Sequence, residues 1–369
     1  MPEFTLDRIF NPKRLILARK RRGLTQTQFA NLLKVHRRTI CGYESGEYSP
    51  SDEALVDLGA LLSFPTEFFF GDDIDEPTLE TGSFRSMSKM AASERDMALS
   101  QAAIGVHLSN WLDTQFELPP PALPDLGSES IPDVAAESVR KAWGIGQLSV
   151  RNMVHLLEAK GVRVFSLAIE AREVDAFSMW KAGVPYVFLN THKSAEHSRF
   201  DAAHELGHLV MHRNAPTGRE AEREADAFAS VFLMPSGSIH ANAPKFPTLP
   251  ALLKLKKTWS VSVIALAYRL HSLNLISDWH YRNLCIDITK LGYREVEPAG
   301  ISRETSAVLP ELLTYLQGKG VSRKRIADLL AISTDELEAL LFGLVMTSVQ
   351  GGRSGAPKRS APSSLARVK

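Results

Sequence analysis

The stretch FDAAHELGHLVMH, residues 200–212, decides how the chain is read. It holds His-Glu-x-x-His as His204, Glu205 and His208. On a helix, positions i and i+4 share one face a turn apart, so both imidazoles can grip one ion. Glu205 follows His204 directly and therefore points off the histidine axis. It can reach a water polarised by the ion and accept its proton without occupying a ligand position. Such a pattern also arises by chance on solvated helices. Here Phe200, Ala203, Leu209 and Val210 make the helix apolar. Burying His, Glu and His in such a helix is costly without a partner such as a metal. Gly207 costs roughly 1 kcal/mol in a helix interior relative to alanine, which suits a close approach by another backbone or a substrate.

A catalytic zinc needs a third protein ligand and an open position. Downstream, residues 220–235 read EAEREADAFASVFLMP, with an apolar face through Ala225, Phe228, Ala229 and Phe232. By helical rotation Glu222 projects nearest that face, with Glu224 the alternative and Glu220 farther off. Asp226, one turn after Glu222, is placed to orient a ligand histidine. His212 repeats the i+4 step but is expected beyond the site. The strand-like stretch 184–190, VPYVFLN, is either an ordinary core strand or an exposed edge able to hold an extended peptide.

Residues 12–70 carry a second pattern. A short helix capped by Thr25 is followed by a turn near Lys34 and Val35, then by a helix from His36 closed by Gly46. Phe29, Ala30, Leu33, Val35, Ile40 and Tyr43 supply a core. Arg37, Arg38 and Thr39 suit base edges and phosphates, and Gln26 and Gln28 suit backbone anchoring. From Lys13 to Arg38 every charged side chain is lysine or arginine. That local run is what phosphate contact needs, whereas the whole chain carries only +1. A protein-binding or dimerising role is the competing reading of this small domain.

The rest bounds the class. Two cysteines, Cys41 and Cys285, exclude a disulfide framework and fit a reducing cytoplasm. No apolar run nears the ~20 residues a membrane span needs, and the first residues lack a secretory pattern. The expected architecture is mainly α with a small β-sheet (α+β). Its parts are a helix-turn-helix over 1–72, a linker and helical segment over 73–132, a zincin-like metallopeptidase core over 133–245, a helical region over 246–348 and a disordered tail over 349–369. Residues 322–340 mimic a second helix-turn-helix, read as a packing pair or partner surface. Tyr268, His240 and Tyr293 are candidate oxyanion partners, and Cys285 is read as plain helix core.

Together these patterns resemble an XRE-type helix-turn-helix fused to an ImmA/IrrE-family zinc metallopeptidase. The first resemblance rests on Leu24-Thr-Gln, Phe29-Ala, Arg38-Thr-Ile and Tyr43-Glu-x-Gly. The second rests on Trp143-Gly-Ile-Gly, Ala176-Phe-Ser-x-Trp180, the segment 198–208 and the segment 224–235. It implies one Zn2+ held by His204, His208 and Glu222, with Glu205 as base. It further implies cleavage of a partner transcriptional repressor in stress response, DNA damage or antiphage defence. Asp226 stands where the family usually has asparagine. DNA is expected as a partner, either an operator or a single-stranded activator, and homodimers are compatible with the domain type.

Overall fold

The computed structural model describes residues 9–77, 91–167, 176–213 and 218–345. The tail read as disordered lies outside these residues. Four helices open the chain: α1 (Pro12–Arg21), α2 (Gln26–Leu32), α3 (Arg37–Ser45) and α4 (Asp52–Leu62). Each start is fixed by a side chain. Asn11, Thr25, His36 and Ser51 each accept a backbone N–H of the first turn. Thr25 and Gln28 form a reciprocal capping box. Gly46 closes α3 at φ 72°, the left-handed geometry glycine adopts without a steric penalty.

Then follow α5 (Ala92–Gln115), α6 (Pro132–Ala142) and α7 (Met153–Ala159). The sheet comprises β1 (Arg163–Ser166), β2 (Ala176–Lys181) and β3 (Val184–Leu189). Its order is β1-β3-β2, with β1 parallel and β2 antiparallel to β3. Strand alternation gives the sheet two buried faces. Phe165, Phe177 and Phe188 stack on one face, in a core shared with α5 and with the first four helices. Val164, Ala176, Val187 and Leu189 lie on the other face, in the core that holds α8 (Ala195–Met211) and α9 (Arg219–Leu233). The helix carrying the metal motif and the DNA-binding-like helices thus sit on opposite sides of one small sheet.

The remaining helices are α10 (Ser236–Asn242), α11 (Leu249–Leu255), α12 (Val263–Ser272), α13 (Asp278–Lys290), α14 (Val308–Gly318), α15 (Arg323–Leu329) and α16 (Thr334–Leu341). Mainly α with a small sheet is therefore the fold. Residues 322–340 do form a helix pair, and it packs inward: Glu336 on α16 is buried against Arg21 and Arg22 at the end of α1. The expectation that 184–190 could be an exposed edge is overturned. β3 is the central strand, flanked by β1 and β2. No helix among the described residues is long and apolar enough to cross a membrane.

Candidate metal centre

Ser194 caps α8 by accepting the His197 N–H, and the helix then runs unbroken through both motif histidines. Its partner α9 crosses close at Gly207. A Cβ there would stand 3.1 Å from the Phe228 ring and 3.3 Å from the Ala225 Cα. The glycine expected to admit a neighbour therefore admits the backbone of α9, and this approach delivers Glu222. The carboxylate oxygens of Glu222 lie 3.6 Å from His204 Nε2 and 3.6 Å from His208 Nε2. The two Nε2 atoms are 3.1 Å apart. Tetrahedral ligands about 2.0–2.1 Å from one zinc ion stand roughly 3.3 Å from each other, so the spacing fits. Glu222 Oε1 is buried and has no hydrogen-bond partner among the described residues, as an atom reserved for an ion would be. Two imidazoles and one carboxylate are a donor set zinc accepts.

Each histidine is held from behind. His204 Nδ1 lies 2.9 Å from Asp226 Oδ1, the position read for Asp226 in the sequence. Burial pulls the His204 pKa down, but the bonds to Asp226 and Glu222 outweigh it and push the pKa up to about 10. His208 Nδ1 lies 3.0 Å from His212 Nδ1, and His212 Nε2 lies 2.8 Å from Glu224 Oε2. A carboxylate only accepts, so Glu224 can take the His212 Nε2–H, and the free Nδ1 of His212 can then accept the His208 Nδ1–H. That leaves the His208 Nε2 lone pair facing the ion site. Burial, then the neighbouring His204 and His212, hold the His208 pKa well below its ordinary value, so its ring stays neutral. Glu224, the alternative third ligand, is committed to His212 instead. Sequence reasoning missed this relay, although the spacing 204, 208, 212 was its visible trace.

Glu205 is buried, and its backbone carbonyl accepts the Ser178 hydroxyl of β2 at 3.3 Å. Asp201, one turn before Glu205, is buried, and burial pushes its carboxyl up to about 6. Tyr268 and Tyr293 line a cavity beyond Asp226, while His240 is exposed on α10 and does not line it.

The candidate DNA-reading residues divide. Arg37 and Arg38 are exposed at the start of α3, with Thr39 half-buried behind them. Gln26 is drawn inward: its Nε2 donates to Glu44 at 2.8 Å and its Oε1 accepts from Arg37 at 3.5 Å. The Gln28 Oε1 accepts the Thr25 N–H in the capping box. Much of the basic run is structural. Arg14 is buried over the Phe68 ring, Arg19 pairs with Glu44, and Arg21 and Arg22 pair with Glu336. Lys13 pairs with Asp73 at the surface. Of the basic run, Lys34, Arg37 and Arg38 are exposed, as is Lys13 beside Asp73.

The profile of the M78 peptidase family, described as an IrrE N-terminal-like domain, matches residues 157–271. A helix-turn-helix profile matches residues 15–69. No curated protein matches the chain. The first match spans α7 to α12 and contains every group of the metal centre; the second spans α1 to α4. From N- to C-terminus, the chain therefore carries an XRE-type helix-turn-helix domain followed by an IrrE-like domain of the M78 peptidase family.

Proposed function

We propose that the protein is a zinc-dependent endopeptidase that regulates transcription by cleaving a partner repressor at one site, in response to stress or DNA damage. The observation that carries this reading is the convergence of His204, His208 and Glu222, with Glu205 buried beside them. His204, His208 and Glu222 would hold the ion, Asp226 and the His212–Glu224 relay would keep the two rings aimed, and Glu205 would serve as general base. Bound there, zinc supplies Lewis acidity towards water and the scissile carbonyl. Glu205 takes a proton from water and returns it to the leaving amine. Its position next to His204 lets it do so without competing for the ion.

The test is co-expression with the small regulators encoded nearby, wild type against Glu205→Gln, with and without DNA damage. Cleavage of one regulator by the wild type alone is expected. If every candidate stays intact in both strains under both conditions, the reading is lost.

A second reading is favoured by the exposure of Arg37 and Arg38 on α3. In it the protein is a DNA-binding regulator whose peptidase-like domain senses a signal without proteolysis. Arg37→Ala with Arg38→Ala would then abolish operator binding, while Glu205→Gln would leave regulation unchanged. Nucleic acid, an operator or a single strand, is the expected ligand of α3 in either reading, and its binding should weaken steeply with salt.

A further inference from the structure

Beside the metal centre lies a cavity of about 550 Å3. Asp226 belongs to both places, lining the cavity while holding His204 Nδ1 at 2.9 Å. Phe200, one turn before His204 on α8, forms part of the same wall. Asp226 is the residue the two places share; His204, Glu205, His208 and Glu222 do not line the cavity.

The walls are apolar and aromatic: Phe200, Ile264, Ala265, Tyr268 and Tyr293. The charges among them are mostly negative, with Glu196, Asp226, Glu295 and Glu297 facing Arg294. Lys256, buried behind the wall, lies 3.5 Å from Glu196 and 3.0 Å from Glu297, and so neutralises part of that excess. Glu295 is exposed at the rim. His197 also lines the space, 3.5 Å from Asp201.

One further atom points to a ligand. Ser230, one turn after Asp226 on α9, lines the cavity and is 3% exposed. Its Oγ has no hydrogen-bond partner among the described residues. Buried hydroxyls are ordinarily bonded, and a hydroxyl oxygen can accept from a cationic N–H donor. Carboxylates, tyrosines and apolar walls together suit a long side chain with a cationic head.

The geometry points to this cavity as the subsite for a basic side chain, arginine or lysine, of the protein substrate. Its stem lies along the apolar wall of Ile264 and Ala265, and its head is drawn to the carboxylates of Asp226 and Glu295. The inference rests on the peptidase reading for what delivers the side chain, and on the cavity alone for its chemistry.

The test is calorimetric titration of the zinc-loaded, full-length Glu205→Gln protein with blocked tetrapeptides. The peptides differ at one position, carrying Arg, Lys, Leu or Glu. The Arg and Lys peptides are expected to bind at least tenfold tighter than the others. Glu295→Lys, a rim substitution, should erase that advantage, while Glu53→Lys on distant α4 should not. Equal affinities, no binding of any peptide, or an Arg preference indifferent to Glu295→Lys would overturn the assignment. Wild-type protein on a mixed peptide pool separates the two claims. Cutting without a nearby basic residue removes the subsite and keeps the peptidase. Selective binding of basic peptides without any cutting keeps the subsite and removes the peptidase.

Discussion

Asp226 occupies no candidate ligand position itself, yet it lies 2.9 Å from His204 Nδ1, where it can orient that ring. Losing such an outer carboxylate typically weakens metal binding by about 10–100-fold. Asp226→Ala should therefore lower zinc affinity by that factor in competition with a chelating dye, while Glu205→Gln keeps the ion. The pH dependence follows from His204. Its folded pKa, raised to about 10 by Asp226 and Glu222, means the metal-free fold is stabilised by an imidazolium. That contribution is complete below the ordinary histidine value near 6.5 and is lost as pH rises through about 10. Zinc must displace the same proton. Uptake at pH 7 should release it, and apparent affinity should rise with pH above neutrality. Zinc titrations in buffers of different ionisation enthalpy measure this directly; uptake without proton release would contradict it. Most of these residues are legible from spacing. The His212–Glu224 relay is not, because rotation about a helix axis says which way Glu224 leans but not which imidazole it meets.

Two elements meet at Gly207. An alanine there gains about 1 kcal/mol of helix propensity but intrudes on Phe228, which is fully buried and stacked on Phe232. Overpacking of this kind costs about 1–3 kcal/mol. Because the ring has nowhere to yield, Gly207→Ala should lower the Tm and weaken zinc binding by shifting Glu222, as thermal melts with and without zinc would show. The sheet shows the opposite limit of sequence reading. β2 alternates Phe177 and Met179 with Ala176 and Ser178, and both faces are buried, so no polar alternation marks it. The two-residue turn at Ala182 and Gly183, with φ of 47° and 79°, is the overlooked signal of a hairpin. That turn places β2 beside β3, and the parallel pairing of β1 on the other side is what makes β3 central.

Across the whole molecule, the helix-turn-helix is braced against the C-terminal helices. Arg21 and Arg22 share Glu336, whose side chain is 3% exposed, and the cores of α1–α4, α5 and α14–α16 are continuous with one face of the sheet. Removing one partner of a buried ion pair costs about 3–5 kcal/mol, because the remaining charge is stranded. Glu336→Ala should cost about that much in denaturant unfolding and loosen α1 first, seen as faster amide exchange over residues 13–21. A change confined to α16 would show that the brace does not join the two parts.

Residue order along single helices sufficed for the metal motif, the capped helix-turn-helix and the mainly helical fold, because helical periodicity and capping are local and repeat every few residues. Which glutamate of α9 reaches the histidines, which arginines are left for nucleic acid, and the union of the cores of α1–α4 and α14–α16 depended on contacts between residues far apart in the chain. Those contacts are decided by packing at places such as Gly207 and Glu336, where the local pattern carries no distance information.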